Sequence, residues 1–113
     1  MAIYKFGAID VGSNAVRLLI VNVMENGDEV YFKKASLVRL PLRLGFEAFT
    51  NKSFSEEKIE QIMHTMHAYS HLLKAHDVQA YRACATSAMR EANNGKEITK
   101  RILKETGINL EII

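Results

Sequence analysis

The chain has 113 residues, of which 48% are hydrophobic and 25% charged, a composition typical of one small globular domain. A formal net charge of +2, without a run of Lys and Arg, argues against a nucleic-acid partner. The single cysteine, Cys84, excludes an internal disulfide and fits a cytoplasmic setting, and no stretch approaches the roughly 18 apolar residues of a membrane span.

The first forty residues predict an antiparallel meander of three strands, at 4–11, 15–24 and 29–39. The link between the second and third strands contains Asn26-Gly27, a strong short-range signal for a tight hairpin turn. Residues 40–54 contain the only proline and a Thr-Asn-Lys-Ser cluster. We therefore expect a loop there.

A long helix is predicted over residues 55–76. Ser55 is suited to the N-cap position, and Phe54 with Ile59 has the spacing of a hydrophobic staple. Apolar residues then recur at helical spacing and define one stripe that faces the core, formed by Ile59, Ile62, Met63, Met66, Tyr69 and Leu73.

The remaining residues predict a strand at 79–85, a helical turn from Thr86, a helix at 96–106 and a last strand at 109–113. Gly107 is suited to the position just after the helix end. The order β-β-β-α-β-α-α-β is that of an α/β fold. Because a strand–helix–strand crossover normally makes its two strands parallel, we expect a mixed sheet: an antiparallel meander followed by parallel strands with helices.

The link between the first two strands, Asp10-Val-Gly-Ser-Asn14, is the first candidate site. Asp10 supplies a carboxylate that could hold a metal ion, and Gly12 can take backbone angles closed to other residues and lets an anion approach the backbone. Such a tip suits a phosphate with its metal ion. The pattern alone is equally typical of an ordinary polar hairpin turn. Arg17, on the next strand, could add a positive group or serve as a cross-strand ion-pair partner.

The second candidate site follows the predicted strand 79–85, where Thr86 and Ser87 open a helix and Arg90 lies one turn further on. Ligands of open α/β sheets gather at the carboxyl ends of strands, and a helix start there offers free N–H groups to an anion. Hydroxyls and a guanidinium are good phosphate donors. Alternatively, one hydroxyl is a plain N-cap and Arg90 a surface charge. The two candidate sites could face each other across a cleft at one edge of the sheet.

Both segments resemble motifs of one family. The segment from Asp10 to Ile20 closely resembles D-[LIV]-G-S-N-[SA]-x-R-L-L-[IV], the opening of exopolyphosphatase/guanosine-pentaphosphate phosphohydrolase (Ppx/GppA) proteins. The segment from Ala85 to Gly95 resembles their second block, A-T-[SA]-A-[LMV]-R-[ED]-A-x-N-[GR]. The two motifs occur in the family's order, and the resemblance extends over essentially the whole chain.

The resemblance implies an actin-like, ribonuclease H-like ATPase fold, with residues 1–113 forming the N-terminal portion of its first domain. It implies that Asp10 helps to position Mg²⁺, and that the hairpin tip and the second block bind phosphate through Gly12, Ser13, Asn14, Arg17, Thr86, Ser87 and Arg90. Family members remove a terminal phosphate from inorganic polyphosphate or guanosine pentaphosphate. A metal and several positive groups then neutralise charge on the transferring phosphoryl group.

Two departures limit what the resemblance implies. The family's catalytic glutamate follows a strand like Glu111-Ile112-Ile113, so we expect the catalytic acid, the rest of the first domain and the second domain to lie beyond Ile113, and the 113 residues alone to be inactive. Residues 43–49 also differ from the common R-L-G-E-G-L. Alternatives are a sensor that binds guanosine tetraphosphate without turnover, or a kinase or ATPase of the actin/Hsp70/sugar-kinase superfamily, which the resemblance also implies. A homodimer formed through an open sheet edge is a further possibility.

Overall fold

The computed structural model describes residues 2–113 as a five-stranded sheet with four helices. The strands are β1 (Ala2–Val11), β2 (Val16–Asn26), β3 (Glu29–Leu40), β4 (Ala80–Ala85) and β5 (Leu110–Ile112). The helices are α1 (Leu44–Asn51), α2 (Glu56–Ala75), α3 (Ser87–Glu91) and α4 (Gly95–Thr106). None of the helices in this described part is both long and apolar enough to cross a membrane.

The strand order across the sheet is β3-β2-β1-β4-β5. The β1–β2 and β2–β3 pairs are antiparallel, whereas β4 pairs in parallel with both β1 and β5. The predicted mixed α/β sheet is therefore confirmed. Because β1, β4 and β5 run in the same direction, their carboxyl ends meet at one edge of the sheet.

All four helices pack against one face of this sheet. Alternate strand residues, Ile9 and Val11 on β1 and Ala83 and Ala85 on β4 among them, share one hydrophobic cluster with buried residues of every helix. The opposite face, which we call the open face, carries the intervening residues. Those near the carboxyl edge are mostly exposed and polar, such as Asp10 and Arg17.

Helix α2 is tied to the sheet by a buried tyrosine. The Tyr69 side chain is fully buried, and its hydroxyl donates to the carbonyl oxygen of Val16 at 2.9 Å, with the carbonyl oxygen of Val38 at 3.2 Å. Burial raises the pKa of the Tyr69 hydroxyl to about 12. The contact joins the helix to two neighbouring strands at once.

The predicted strands and the predicted long helix agree with the structure to within two residues at each end. The Ser55 side chain accepts the predicted capping hydrogen bond from the Lys58 amide, and Gly107 has the left-handed φ of 81° expected just after α4. The loop predicted over residues 40–54 is wrong in part, because α1 occupies Leu44–Asn51. No side chain caps the start of α1, and its stability comes from burying Leu44 and Ala48.

Strand β3 contains a β-bulge opposite Ile20 and Val21 of β2. Ser36 pairs with Ile20 and Lys34 with Val21, so Ala35 is the extra residue. Because side chains alternate along a strand, every β3 residue after the insertion lies on the opposite face from the one it would have in a regular strand.

Candidate functional site

The candidate site lies at the carboxyl edge of the sheet, where β1 and β4 end side by side. Val11 pairs in register with Ala85, and the Thr86 amide donates to the Val11 carbonyl oxygen at 3.1 Å. The turn after β1 and the start of α3 are thus neighbours. The two predicted segments are therefore side by side at one edge of the sheet, and ligands of open α/β sheets bind at such edges.

The turn between β1 and β2 comprises Gly12 to Ala15 and is closed by a hydrogen bond from the Gly12 amide to the Ala15 carbonyl oxygen, at 3.0 Å. Within residues 2–113, the amides of Ser13 and Asn14 have no backbone acceptor. We call the four residues from Gly12 to Ala15 the phosphate turn. Free backbone N–H groups at such a tip are good anion donors.

Gly12 does not use the left-handed backbone angles that are open to glycine, because it is not among the residues with positive φ. The requirement is one of space. A Cβ added to Gly12 would lie 3.3 Å from the carbonyl oxygen of Ala15, which is tighter than an ordinary contact. Glycine therefore keeps the turn narrow and its backbone accessible.

Helix α1 holds the phosphate turn from the helix side of the sheet. The Gly45 amide donates to the Ser13 carbonyl oxygen at 2.9 Å, and the Arg43 amide donates to the Asn14 carbonyl oxygen at 3.0 Å. A Cβ on Gly45 would lie 3.0 Å from the Ser13 Cβ, so the two backbones approach closely. Sequence reasoning missed this support because it placed Gly45 in a loop; the four-residue spacing of Leu44 and Ala48 was the available signal.

Asp10 and Arg17 lie directly opposite each other on the open face, next to the phosphate turn. Both side chains are exposed, and the ion pairs found within residues 2–113 do not include them. On its other side Asp10 is in register with Cys84 of β4. The predicted cross-strand neighbour of Arg17 is therefore present, but the two charges are not joined.

Of the described residues of β1 and β2, Asp10 is the one whose carboxylate lies next to the phosphate turn on the open face. Within the described residues 2–113, no three His, Cys, Asp or Glu side chains converge to hold a metal. Mg²⁺ is commonly held by one or two carboxylates, substrate phosphate oxygens and several waters. A single exposed carboxylate beside a phosphate turn fits that arrangement.

Helix α3 is only five residues long, and Thr86 precedes it without making a side-chain capping hydrogen bond. Arg90 points toward β5, where its guanidinium Nη1 donates to the Ile113 carbonyl oxygen, and its Nε lies 3.8 Å from a Glu91 carboxylate oxygen. The structure therefore brings Thr86 to the phosphate turn. It places Arg90 at the end of the next strand, on the side away from that turn.

Comparison with known proteins identifies the family. The sequence profile of the Ppx/GppA phosphatase family matches residues 20–113. The chain belongs to the Ppx/GppA phosphatase family. It is 28% identical to exopolyphosphatase 1 of Mycobacterium leprae, and the match covers 96% of this chain and 31% of that protein. It is 30% identical to the bifunctional 3-dehydroquinate synthase/phosphatase of Fusobacterium nucleatum, over 94% of this chain and 16% of the relative.

Solved structures of Ppx/GppA proteins have the same fold as this chain. The Aquifex aeolicus family member superposes with a TM-score of 0.90 at 27% identity, covering 99% of this chain and 35% of that one. An exopolyphosphatase from Cytophaga hutchinsonii superposes with a TM-score of 0.85 at 28% identity, covering 96% and 34%. This Ppx/GppA family member thus spans about a third of the length of these two structures and of the Mycobacterium leprae relative.

A more distant likeness concerns the fold alone. Thermus thermophilus RuvC superposes with a TM-score of 0.54 at 13% identity, over 96% of this chain and 60% of RuvC. The agreement is consistent with the expected ribonuclease H-like arrangement of strands.

Proposed function

We propose that this chain supplies the phosphate-binding part of a phosphatase that removes the terminal phosphate from inorganic polyphosphate or guanosine pentaphosphate. The observation that carries the proposal is the phosphate turn, with two free amides, beside the Asp10 carboxylate and against Thr86 in a Ppx/GppA family chain. The exopolyphosphatases among its relatives support the polyphosphate reading.

In this proposal the phosphate turn binds the terminal phosphate. The Ser13 and Asn14 amides donate to its oxygens, Gly12 leaves room for it, and the Thr86 and Ser87 hydroxyls contact it from the neighbouring strand end. Oriented backbone donors stabilise the charge of a phosphoryl group without having to reorganise as the reaction proceeds. Arg17 contributes a positive charge from the open face.

Asp10 is the residue that would hold Mg²⁺, together with waters and phosphate oxygens. When bound, the metal supplies charge neutralisation on the phosphoryl group and positions it for attack by water. The general base for that water must lie within hydrogen-bond reach of it. We assign no residue of this chain to that role. We therefore expect the 113 residues alone to bind the phosphates of the substrate without hydrolysing it.

Arg90 has donors left over for a phosphate besides its contact with Ile113. A guanidinium carries five N–H donors, and the Ile113 carbonyl uses one of them. The remaining donors can grip a phosphate that reaches the end of β5. In that case Arg90 binds the ligand and fixes the end of β5 at the same time.

The deciding experiment joins residues 1–113 to the remaining length of a Ppx/GppA relative and measures phosphate release from polyphosphate with and without Mg²⁺. We expect Mg²⁺-dependent release, and a loss of up to about a hundredfold for Arg90→Ala, because the variant lacks the charge-assisted contact to a phosphate at the end of β5. Arg90→Lys keeps the charge but not the bidentate geometry and should recover only part of the activity. Unchanged release by Arg90→Ala would remove Arg90 from the site.

Two results would favour the other members of the superfamily. Binding of guanosine tetraphosphate without any phosphate release, in the extended protein, would indicate a sensor. Transfer of a phosphate from ATP to an acceptor would indicate a kinase. Release of phosphate from guanosine pentaphosphate and not from polyphosphate would support a phosphatase whose substrate is guanosine pentaphosphate.

A further inference from the structure

A groove on the open face runs from Asp10 along β2 and β3, away from the phosphate turn. It encloses about 430 Å³. We call it the β2–β3 groove. Its lining consists of Ala8, Asp10, Arg17, Leu19, Lys34, Leu37 and Arg39. The groove therefore combines three cations and one acid with an apolar floor, and the acid lies at the end nearest the phosphate turn.

The β-bulge of β3 brings the three cations onto the same face. Arg39 is in register with Arg17, and Lys34 is in register with Val21, which shares the face of Arg17. Lys34 and Arg39 are five residues apart, so a regular strand would place them on opposite faces. The extra residue at the bulge cancels that alternation.

None of the three cations has a carboxylate partner within residues 2–113. The ion pairs of this part of the chain involve Arg82, Arg90, Arg101 and His67 instead. Like charges directly opposite each other on neighbouring strands are unfavourable, as Arg17 and Arg39 are here. A bound anion between them would turn this repulsion into two attractions.

The floor of the groove strengthens such binding. Ala8, Leu19 and Leu37 offer no side-chain acceptor that would compete for the cations. An apolar surface also lowers the local dielectric constant, so that a charge pair above it interacts more strongly than in open water.

We propose that the β2–β3 groove binds the phosphates that follow the terminal phosphate of a ligand with consecutive phosphate groups. This inference rests on the proposed function, because it takes the phosphate turn as the site of the terminal phosphate. Lys34 and Arg39 then become specificity-determining residues: they favour ligands with several phosphates in a row over single phosphates. Both inorganic polyphosphate and the triphosphate arm of guanosine pentaphosphate have this chemistry.

The test is an NMR titration of the ¹⁵N-labelled 113-residue chain with orthophosphate, tripolyphosphate and guanosine pentaphosphate. Orthophosphate should shift mainly the amides of Ser13 and Asn14. Tripolyphosphate should shift those amides and the amides of Lys34 and Arg39 along one binding curve. If guanosine pentaphosphate shifts all four amides while tripolyphosphate shifts only those of the turn, the ligand of the groove is the nucleotide and not inorganic polyphosphate.

Matched variants separate the groove from general charge attraction. Lys34→Glu and Arg39→Ala should each weaken tripolyphosphate binding by about tenfold, the loss expected for one charge-assisted contact at an accessible site. Lys33→Glu makes the same charge change on the opposite face of β3 and should weaken binding less than threefold, through screened long-range charge alone. Circular dichroism spectra of the variants check that each is folded.

The outcomes discriminate between the two proposals. Equal losses for Lys34→Glu and Lys33→Glu, or undiminished binding by Arg39→Ala, would overturn the groove while leaving the phosphate turn in place. Shifts confined to Lys34 and Arg39, with none at Ser13 and Asn14, would overturn the proposed function and leave the groove as an independent anion site. No shift with any of the three ligands would overturn both.

Discussion

Replacing Gly95 by alanine is expected to lower the free energy of unfolding by about 3 kcal/mol, at the upper end of overpacking costs. A Cβ at this position would lie 2.0 Å from the carbonyl oxygen of Met89, a buried residue of α3. The two atoms must separate by more than about 1 Å to reach van der Waals contact. The junction of α3 and α4 must therefore open, because neither atom belongs to a movable side chain. The gain in helix propensity, about 1 kcal/mol, is too small to compensate.

Urea unfolding followed by circular dichroism measures this cost. With an m-value of about 2 kcal/mol/M, the midpoint should fall by about 1.5 M. Gly107→Ala is the matched control, since Gly107 has a φ of 81° but no atom within 4 Å of the added Cβ, and it should lose only about 1 kcal/mol. Gly107→Asn should regain part of that loss because asparagine tolerates left-handed backbone. A Gly95→Ala midpoint within about 0.3 M, or about 0.6 kcal/mol, of the unsubstituted chain would refute the tight junction.

Three further predictions concern polar contacts that are buried or partly buried. Tyr69→Phe removes the hydroxyl that joins α2 to the Val16 carbonyl and should cost about 1–3 kcal/mol in urea unfolding, with no loss contradicting the bridge. Because the folded-state pKa of Tyr69 is raised to about 12, the unfolded chain loses this proton first as the pH rises. The associated stability is full below pH 10 and falls by about 2–3 kcal/mol toward pH 12, and the difference between the unsubstituted chain and Tyr69→Phe should shrink over that range. Asn94→Ala removes both hydrogen bonds to the Phe54 backbone and should cost about 2 kcal/mol. Asn94→Asp keeps only the acceptor, so in thermal unfolding its stability should lie between those of the unsubstituted chain and Asn94→Ala.

Most of the strands and helices could be predicted from the sequence, because the local signals for turns, caps and apolar periodicity match the elements that the sheet requires. The Asn26-Gly27 turn, the Ser55 cap and the apolar stripe of α2 each act over a few residues, and each is where it was expected. The parallel direction of β4 followed from the helical crossover. Its pairing with β1, which places Thr86 beside the phosphate turn, is seen only in the structure.

The register of β3 could not be derived in the same way. Counting back from the Asn26–Glu29 pair predicts that Arg17 lies opposite Val38 and that Arg39 faces the helices. The bulge shifts the pairing by one residue, which lets Val38 and Leu40 pack toward the core and turns Arg39 to the open face. Burial over the whole sheet decides this register, and no local turn signal records it. The direction of Arg90 toward Ile113 is likewise a tertiary contact without a sequence signature.

The hydrogen bonds between α1 and the phosphate turn have a consequence for how an anion would be received. In a planar trans peptide, the carbonyl and the following N–H point in opposite directions. Because Gly45 draws the Ser13 carbonyl toward α1, the Asn14 N–H of the same peptide is directed away from that helix. The orientation of this donor is thus set when the chain folds, and an arriving phosphate need not spend binding free energy on aligning it. A helix that carries no ligand contact of its own would in this way govern how rigidly the turn receives its ligand.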